Sequence, residues 1–155
     1  MKSIQQWLDE YSVSHQNHTN KMIHWVCVPL IFFSVIGLLY SVQFGVRLVG
    51  NMNLNLAIIV LAFVTVYYFM LSKSLSVGML FFSLVCIGVC YEIQMITTTP
   101  LWAICIGVFV LAWIGQFYGH KVEGMKPSFL KDLQYLMIGP AWLMSFVYKK
   151  LGIAL

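Results

Sequence analysis

The hydrophobic pattern divides the chain into a polar start, four long apolar stretches and a mixed C-terminal part. Residues 3–13 place apolar side chains at helical spacing and predict an amphipathic helix, with Ser3 as its N-cap. The apolar stretches approach or exceed the roughly 20 residues that a helix needs to cross a bilayer. They predict transmembrane helices at residues 23–46, 54–71, 75–96 and 101–118.

The part after the fourth stretch does not fit a further crossing. It begins with polar residues and becomes apolar again at 133–148, where Gly139 and Pro140 interrupt it. This apolar part is shorter than a span and contains a pair of residues that disfavours a continuous helix. We therefore predict that 119–155 is an interfacial or re-entrant helical segment, and that 1–22 is an amphipathic, histidine-containing segment.

The composition indicates that lipid is part of the protein's solvent. Of the 155 residues, 61% are hydrophobic and only 9% are charged, against roughly 45–50% and 25% in soluble domains. One small core cannot cover so much apolar side chain, because a domain of this size leaves about a third of its surface exposed. The sequence therefore predicts an all-α integral membrane protein with a single domain, 1–155. Its basic residues form no stripe with interleaved polar surface, so nucleic-acid binding is not expected.

The distribution of basic residues predicts the orientation in the membrane. Four crossings would return the chain to its starting side, which then carries eight basic residues, while Arg47 alone lies on the other side. The positive-inside rule places the first side, and with it both termini, in the cytoplasm. The eight residues are Lys2, Lys21, Lys73, Lys121, Lys126, Lys131, Lys149 and Lys150.

The same topology brings all four histidines to one membrane face. His15, His18 and His24 precede the first predicted span, and His120 follows the fourth. Four imidazoles from two distant segments at similar depth favour a metal site over isolated interfacial histidines. Imidazole suits iron, zinc, copper and nickel alike, so that residue type alone does not name the metal.

Local spacing adds detail and leaves alternatives open. Gln116, His120 and Glu123 are spaced i, i+4 and i+7, on one face of a helix that extends the fourth span. On a continuous helix His24 would lie half a turn out of phase with His15, so either the helix breaks near 19–21 or His15 and His18 approach from a separate segment. Glu123 could be a metal ligand, a solvated charge or, as we favour, a hydrogen-bond partner of a histidine N–H.

Other residues receive simpler interpretations. We expect the four cysteines to be small buried thiols. Five aromatic residues are predicted to lie in the interfacial belt of the membrane. These are Trp25, Trp113, Tyr118, Trp142 and Tyr148.

Two functions other than metal-dependent catalysis remain open from the residues alone. The protein could bind haem or transfer electrons, using two histidines as axial ligands. It could also be a small transporter or assembly factor, although no charged residue lies clearly in the middle of a span to mark a pathway.

Two motifs resemble the signature blocks of a known family. The first is Y-x3-H-x-N-x2-N-x3-H-x4-P, from Tyr11 to Pro29, and the second is W-x2-Q-F-x-G-H-x2-E-x3-P, from Trp113 to Pro127. Together with the LMIGPAW stretch at 136–142, they resemble the Mpo1-like family of membrane 2-hydroxy fatty acid dioxygenases.

The resemblance implies a specific activity and a specific site. It implies an enzyme that uses Fe(II) and O2 to cleave 2-hydroxy fatty acids to fatty acids one carbon shorter, with the amphiphilic substrate held at the membrane interface. It implies an iron site built from His15, His18, His24 and His120, to which we add Glu123, Lys21 and Lys121 as catalytic candidates, the two lysines for the substrate carboxylate. The expected location is the inner membrane in a bacterium or the endoplasmic reticulum membrane in a eukaryote.

Overall fold

The computed structural model describes residues 2–124 and 135–155. Within them the chain forms six helices and one two-stranded hairpin. In chain order these are α1 (Ile4–Val13), α2 (His18–Tyr40), β1 (Gln43–Val49), β2 (Met52–Asn55), α3 (Leu56–Leu71), α4 (Lys73–Ile96), α5 (Leu101–Glu123) and α6 (Ile138–Leu151). The predicted helical fold class is confirmed. Pro127, Lys126 and Lys131, which the sequence motifs and the charge count used, lie outside the described residues.

Among the described residues, three helices are long and apolar enough to cross a membrane. They are α2, α4 and α5, with 23, 24 and 23 residues. The apolar helix α3 has only 16 residues, so its crossing stays a prediction, and so does the total of four crossings.

The first predicted span is wrong at its C-terminal end. Helix α2 starts earlier, at His18, and ends at Tyr40 instead of continuing to residue 46. Residues after Tyr40 form an antiparallel hairpin in which Val49 pairs with Met52. Gly45 and Gly50 have φ angles of 71° and 56°, a left-handed conformation that glycine adopts without steric cost and that ends helical geometry.

The short N-terminal helix agrees with its prediction. The Ser3 hydroxyl accepts a hydrogen bond from the Gln6 backbone N–H, and the Gln6 side chain accepts one from the Ser3 N–H. This reciprocal capping box satisfies two of the N–H groups that a helix start leaves unpaired. A second cap begins α2, where the Asn17 side chain accepts from the Thr19 and Asn20 N–H groups.

Helix α5 packs closely against α2 through two glycines four residues apart. A Cβ atom on Gly115 would lie 2.6 Å from Cys27 Sγ, and one on Gly119 would lie 2.5 Å from Asn20 Oδ1. Both distances are shorter than real Cβ contacts, so a larger residue at either position would require the neighbouring side chain or helix to move. Small residues at this spacing let two helices approach closely in a membrane. The contact places the start of α2 beside the end of α5.

The two ends of the structure are built differently. At one end α2 begins and α5 ends, and this end is here called the histidine end. There α6 contacts the start of α4: Tyr148 Oη donates to Ser74 O at 2.7 Å and accepts from the Gly78 N–H at 3.0 Å. At the other, the hairpin end, Gln43 on β1 donates to Gln94 near the end of α4. Helices α2 and α5 run from one end to the other.

The C-terminal segment forms a continuous helix where a break was expected. Pro140 is the third residue of α6 (Ile138–Leu151), within the first turn, where a missing N–H and a fixed φ are tolerated. The Gly-Pro pair therefore begins the helix instead of interrupting it. The start of the predicted segment, at 133–134, lies outside the described residues, and its re-entrant placement stays a prediction.

Candidate metal centre

Three of the four histidines form a buried cluster at the histidine end. His15, His24 and His120 are 2%, 1% and 5% exposed. One ring nitrogen from each lies within 4.8 Å of those of the other two. His15 lies in the connection between α1 and α2, His24 in the second turn of α2 and His120 in the last turn of α5. The structure matches neither open alternative as predicted: α2 is unbroken through residues 19–21, and only His15 approaches from a separate segment, since His18 shares α2 with His24.

Backbone carbonyls orient two of the three rings. His15 Nδ1 lies 2.6 Å from Tyr11 O, and His24 Nδ1 lies 2.9 Å from Asn20 O. A carbonyl oxygen can only accept, so each Nδ1 must carry the proton and donate it. The Nε2 atom of each ring then carries a lone pair that is available to a ligand.

The two lone pairs face each other across a short gap. His15 Nε2 and His24 Nε2 are 2.8 Å apart. Two neutral imidazole lone pairs repel each other at this distance unless a cation lies between them. That cation is either a proton, which makes one ring an imidazolium, or a metal ion.

The geometry fits a shared metal ion. Adjacent nitrogen ligands on one ion, each about 2.1 Å from it, lie about 3 Å apart, close to the observed Nε2–Nε2 distance. The donor set of neutral imidazoles suits iron, zinc, copper and nickel. It does not suit haem ligation by this pair, because a macrocycle cannot fit between two nitrogens 2.8 Å apart.

Aromatic rings enclose the His15 side of the cluster. The Tyr11 ring stacks on His15 with centroids 4.2 Å apart, and Trp142 of α6 lies 5.3 Å from the same ring. Trp113, Trp142 and Tyr148 are 6%, 3% and 7% exposed. Their predicted place in an interfacial belt is therefore wrong, because the packing of α5 and α6 puts them inside the protein. Trp25 and Tyr118 are exposed, as a belt requires.

Glu123 ties the end of α5 to the connection that carries His15. Its carboxylate accepts hydrogen bonds from the backbone N–H groups of Gln16 and Asn17 at 2.8 and 2.9 Å. It also accepts one from Asn20 Nδ2 at 2.9 Å. These partners are N–H groups of the connection and of α2, and not a histidine ring. The carboxylate therefore supports the cluster indirectly. It holds the segment that carries His15 against α5, the helix that carries His120.

The other predicted site residues lie apart from the cluster. His18 is the exposed first residue of α2 and is not one of the three clustered histidines. Lys21 is half-buried one turn further on, and Lys121 is exposed beside His120. Within residues 2–124 and 135–155, none of these three side chains forms a hydrogen bond or an ion pair. The two lysines nevertheless lie at the histidine end.

Sequence reasoning missed the residues that hold the centre together. Gly115 and Gly119 are helix-contact residues, and their G-x-x-x-G spacing directly before His120 is the sequence signal for that role. Trp142, predicted at the membrane interface, closes the LMIGPAW stretch and packs beside His15.

Fold and site together define a class: a helical protein with membrane-length helices and a buried three-histidine candidate metal centre at one end. Within that class the chain belongs to the Mpo1-like family, described as 2-hydroxy-palmitic acid dioxygenase Mpo1-like, which matches residues 1–151. The chain is 28% identical over 144 residues to the 2-hydroxy-palmitic acid dioxygenase MPO1 of Saccharomyces cerevisiae, an alignment that covers 92% of this chain and 78% of the yeast protein. No solved structure matches the chain. The resemblance inferred from the two motifs is confirmed.

Proposed function

We propose that this protein is an Fe(II)-dependent dioxygenase that cleaves 2-hydroxy fatty acids to fatty acids one carbon shorter. The observation that carries the proposal is the pair of Nε2 lone pairs 2.8 Å apart, with His120 completing the cluster, in a member of the Mpo1-like family. The printed name of the yeast relative supports the substrate class.

His15, His24 and His120 would hold the metal. Bound Fe(II) would supply a site for O2 and for the carboxylate of the substrate. His18 is left out of this ligand set because it is exposed on the outside of α2. The carbonyls of Tyr11 and Asn20 keep two rings in the tautomer that presents Nε2, so this part of the site is organised before any ion binds.

The proposed reaction balances with O2 as the oxidant and no other reductant. The C1–C2 bond of the 2-hydroxy acid breaks, C2 is oxidised to the carboxyl carbon of the shorter acid, and C1 leaves as CO2. For 2-hydroxyhexadecanoate the products are pentadecanoate, CO2 and water, which account for every atom of the acid and of one O2.

The position of the cluster suits an amphiphilic substrate. A 2-hydroxy fatty acid keeps its carboxylate and hydroxyl in the headgroup region while its tail lies in lipid. Three neutral ligands leave a bound Fe(II) cationic, which favours an anionic headgroup. Lys21 and Lys121 lie at the same end, and we assign them the weaker task of attracting the carboxylate to this surface.

The test is substrate-dependent oxygen consumption by the full chain in detergent, loaded with Fe(II) under argon. We expect one O2 consumed per 2-hydroxyhexadecanoate cleaved, with pentadecanoate identified by mass spectrometry and no reaction with hexadecanoate. Stoichiometric iron binding without oxygen uptake would contradict the substrate assignment. Failure to bind iron would contradict the metal assignment.

A further inference from the structure

Gln116 is a buried polar side chain that the proposed function does not yet use. It lies on α5, four residues before His120, so that the two side chains share one face of the helix one turn apart. Its side chain is 6% exposed. In the part of the chain that the structure describes, its amide forms no hydrogen bond.

An amide that lines an otherwise apolar cavity is stabilised when a polar group in the cavity pairs with it. Gln116 forms part of the wall of a cavity of about 30 Å³ between α1, α2, α5 and α6. The described lining residues are otherwise apolar or aromatic, so no charged side chain among them competes for a polar ligand. The volume accommodates a group about the size of a water molecule and not an acyl tail.

The cavity adjoins the histidine cluster through Tyr11. The Tyr11 ring lines the cavity and stacks on His15 at 4.2 Å, and its backbone oxygen accepts the His15 Nδ1 proton. A small polar group in the cavity would therefore lie one aromatic ring and one helical turn from the candidate metal centre.

We propose that the Gln116 amide binds the 2-hydroxyl group of the substrate and so selects 2-hydroxy acids over unsubstituted fatty acids. This inference rests on the proposed function. A primary amide offers both an acceptor and a donor, which matches a hydroxyl group that can donate and accept. A site built to pair with a hydroxyl discriminates strongly against the analogue that lacks it, because the buried amide is then left without a partner.

The test compares the binding of 2-hydroxyhexadecanoate and hexadecanoate to the iron-loaded full chain under argon, where turnover cannot occur. Binding is followed by calorimetry and by intrinsic tryptophan fluorescence, to which Trp113 in the cavity wall contributes. The variant is Gln116→Met, which keeps the length of the side chain and removes both polar groups. The matched control is Gln94→Met, an exposed glutamine at the hairpin end.

We expect wild type and Gln94→Met to bind the hydroxy acid more tightly than hexadecanoate. Gln116→Met should retain its iron and its affinity for hexadecanoate while losing about tenfold in affinity for the hydroxy acid, the effect of one hydrogen bond. Gln116→Glu, which tests the site should the apolar variant not fold, should weaken binding of both acids because it brings a negative charge close to their carboxylates.

Each contrary result has a distinct meaning. Unchanged discrimination in Gln116→Met, beside a discriminating wild type, overturns the role of Gln116 and leaves the proposed function intact. Loss of iron in Gln116→Met shows that the residue supports the histidines and not the substrate, which also overturns the proposal. A wild-type protein that binds iron but does not discriminate overturns both this inference and the proposed substrate.

Discussion

At the histidine end of the molecule, five polar side chains are buried close together, whereas at the hairpin end Asn55 is buried for a local structural reason. The five are His15, Asn20, His24, Gln116 and His120. Asn55 is fully buried, but its side chain accepts from the Ile58 N–H at the start of α3 and donates to Asn53 O. Its burial is accounted for by capping one helix.

Asn20 likewise donates to Ser14 O and to Glu123, but the other four residues of the histidine end are not explained in that way. Three are imidazoles that converge on one point, and two of their lone pairs would repel each other without a cation. A fourth, Gln116, faces a cavity. Burying such groups lowers the free energy of unfolding unless they form hydrogen bonds or bind an ion. Their presence at this end therefore indicates a functional role. The hairpin end provides internal controls for several tests of that interpretation.

The largest expected effect comes from removing a clustered histidine. His24→Ala should lower the affinity for Fe(II) by more than about 100-fold and abolish oxygen uptake, because one of three converging ligands is lost. The measurement is iron content after anaerobic loading and desalting, with folding followed by gel filtration in detergent.

The matched control for this prediction is His18→Ala, which removes an exposed imidazole only six residues away on the same helix. It should retain iron and activity. Equal losses in the two variants would show that the buried cluster is not the centre, and would restore His18 to the ligand set.

The next effect tests how closely α2 and α5 must approach. Gly119→Ala places a Cβ 2.5 Å from Asn20 Oδ1, so the helices must separate or Asn20 must move. We expect a loss of about 1–3 kcal/mol in the free energy of unfolding, the usual range for overpacking, together with weaker iron binding.

Gly107→Ala is the control on the same helix. A Cβ there meets no atom within 4 Å, so the substitution should leave stability and iron binding unchanged or slightly improve stability. If both alanine variants behave alike in thermal unfolding, the close contact at Gly119 does not determine the helix spacing.

Most of the helical framework could be predicted from hydrophobic length alone, because apolar stretches near 20 residues are readable one at a time. The end of α2 could not be predicted from hydrophobic length. Residues 41–46 are apolar enough to continue a helix, and their strand conformation depends on pairing with residues that follow the turn. Such pairing is a tertiary effect that hydropathy does not record.

The site was partly predictable for a similar reason. Counting crossings brought His120 back to the N-terminal histidines, and the structure places it with His15 and His24. His18 could not be separated from the others by spacing, because its exposure follows from where α2 begins, at the Asn17 cap. The role of Glu123 was also hidden, since its partners are backbone N–H groups that carry no sequence signature.

Glu123→Gln should produce a smaller loss, confined to the histidine end. The amide keeps one acceptor oxygen but loses the negative charge, and it cannot accept from all three N–H groups that the carboxylate now satisfies. The connection that carries His15 should loosen, and the affinity for Fe(II) should fall by about tenfold, as for other groups that support metal ligands. Isothermal titration under argon measures this affinity.

Glu92→Gln, at an exposed position near the hairpin end of α4, serves as the control and should bind iron like wild type. An unchanged affinity in Glu123→Gln would show that the His15 connection holds its position without the carboxylate.

The smallest effect compares two asparagine caps, one at each end. Asn17→Ala and Asn55→Ala each remove a side chain that accepts from the first N–H groups of a helix, α2 and α3 respectively. Each should cost about 1 kcal/mol in the free energy of unfolding. Asn17→Ala keeps the backbone N–H that donates to Glu123, but its cap lies directly beside the His15 connection. A frayed start of α2 should therefore loosen that connection and weaken iron binding as well, whereas Asn55→Ala should leave iron binding unchanged. Thermal unfolding with and without Fe(II) separates the two effects, because bound metal should stabilise Asn55→Ala as much as it stabilises wild type.

A reduced stabilisation of Asn55→Ala by Fe(II) would mean that the hairpin end supports the metal centre through α3. The two ends could then no longer be treated as independent.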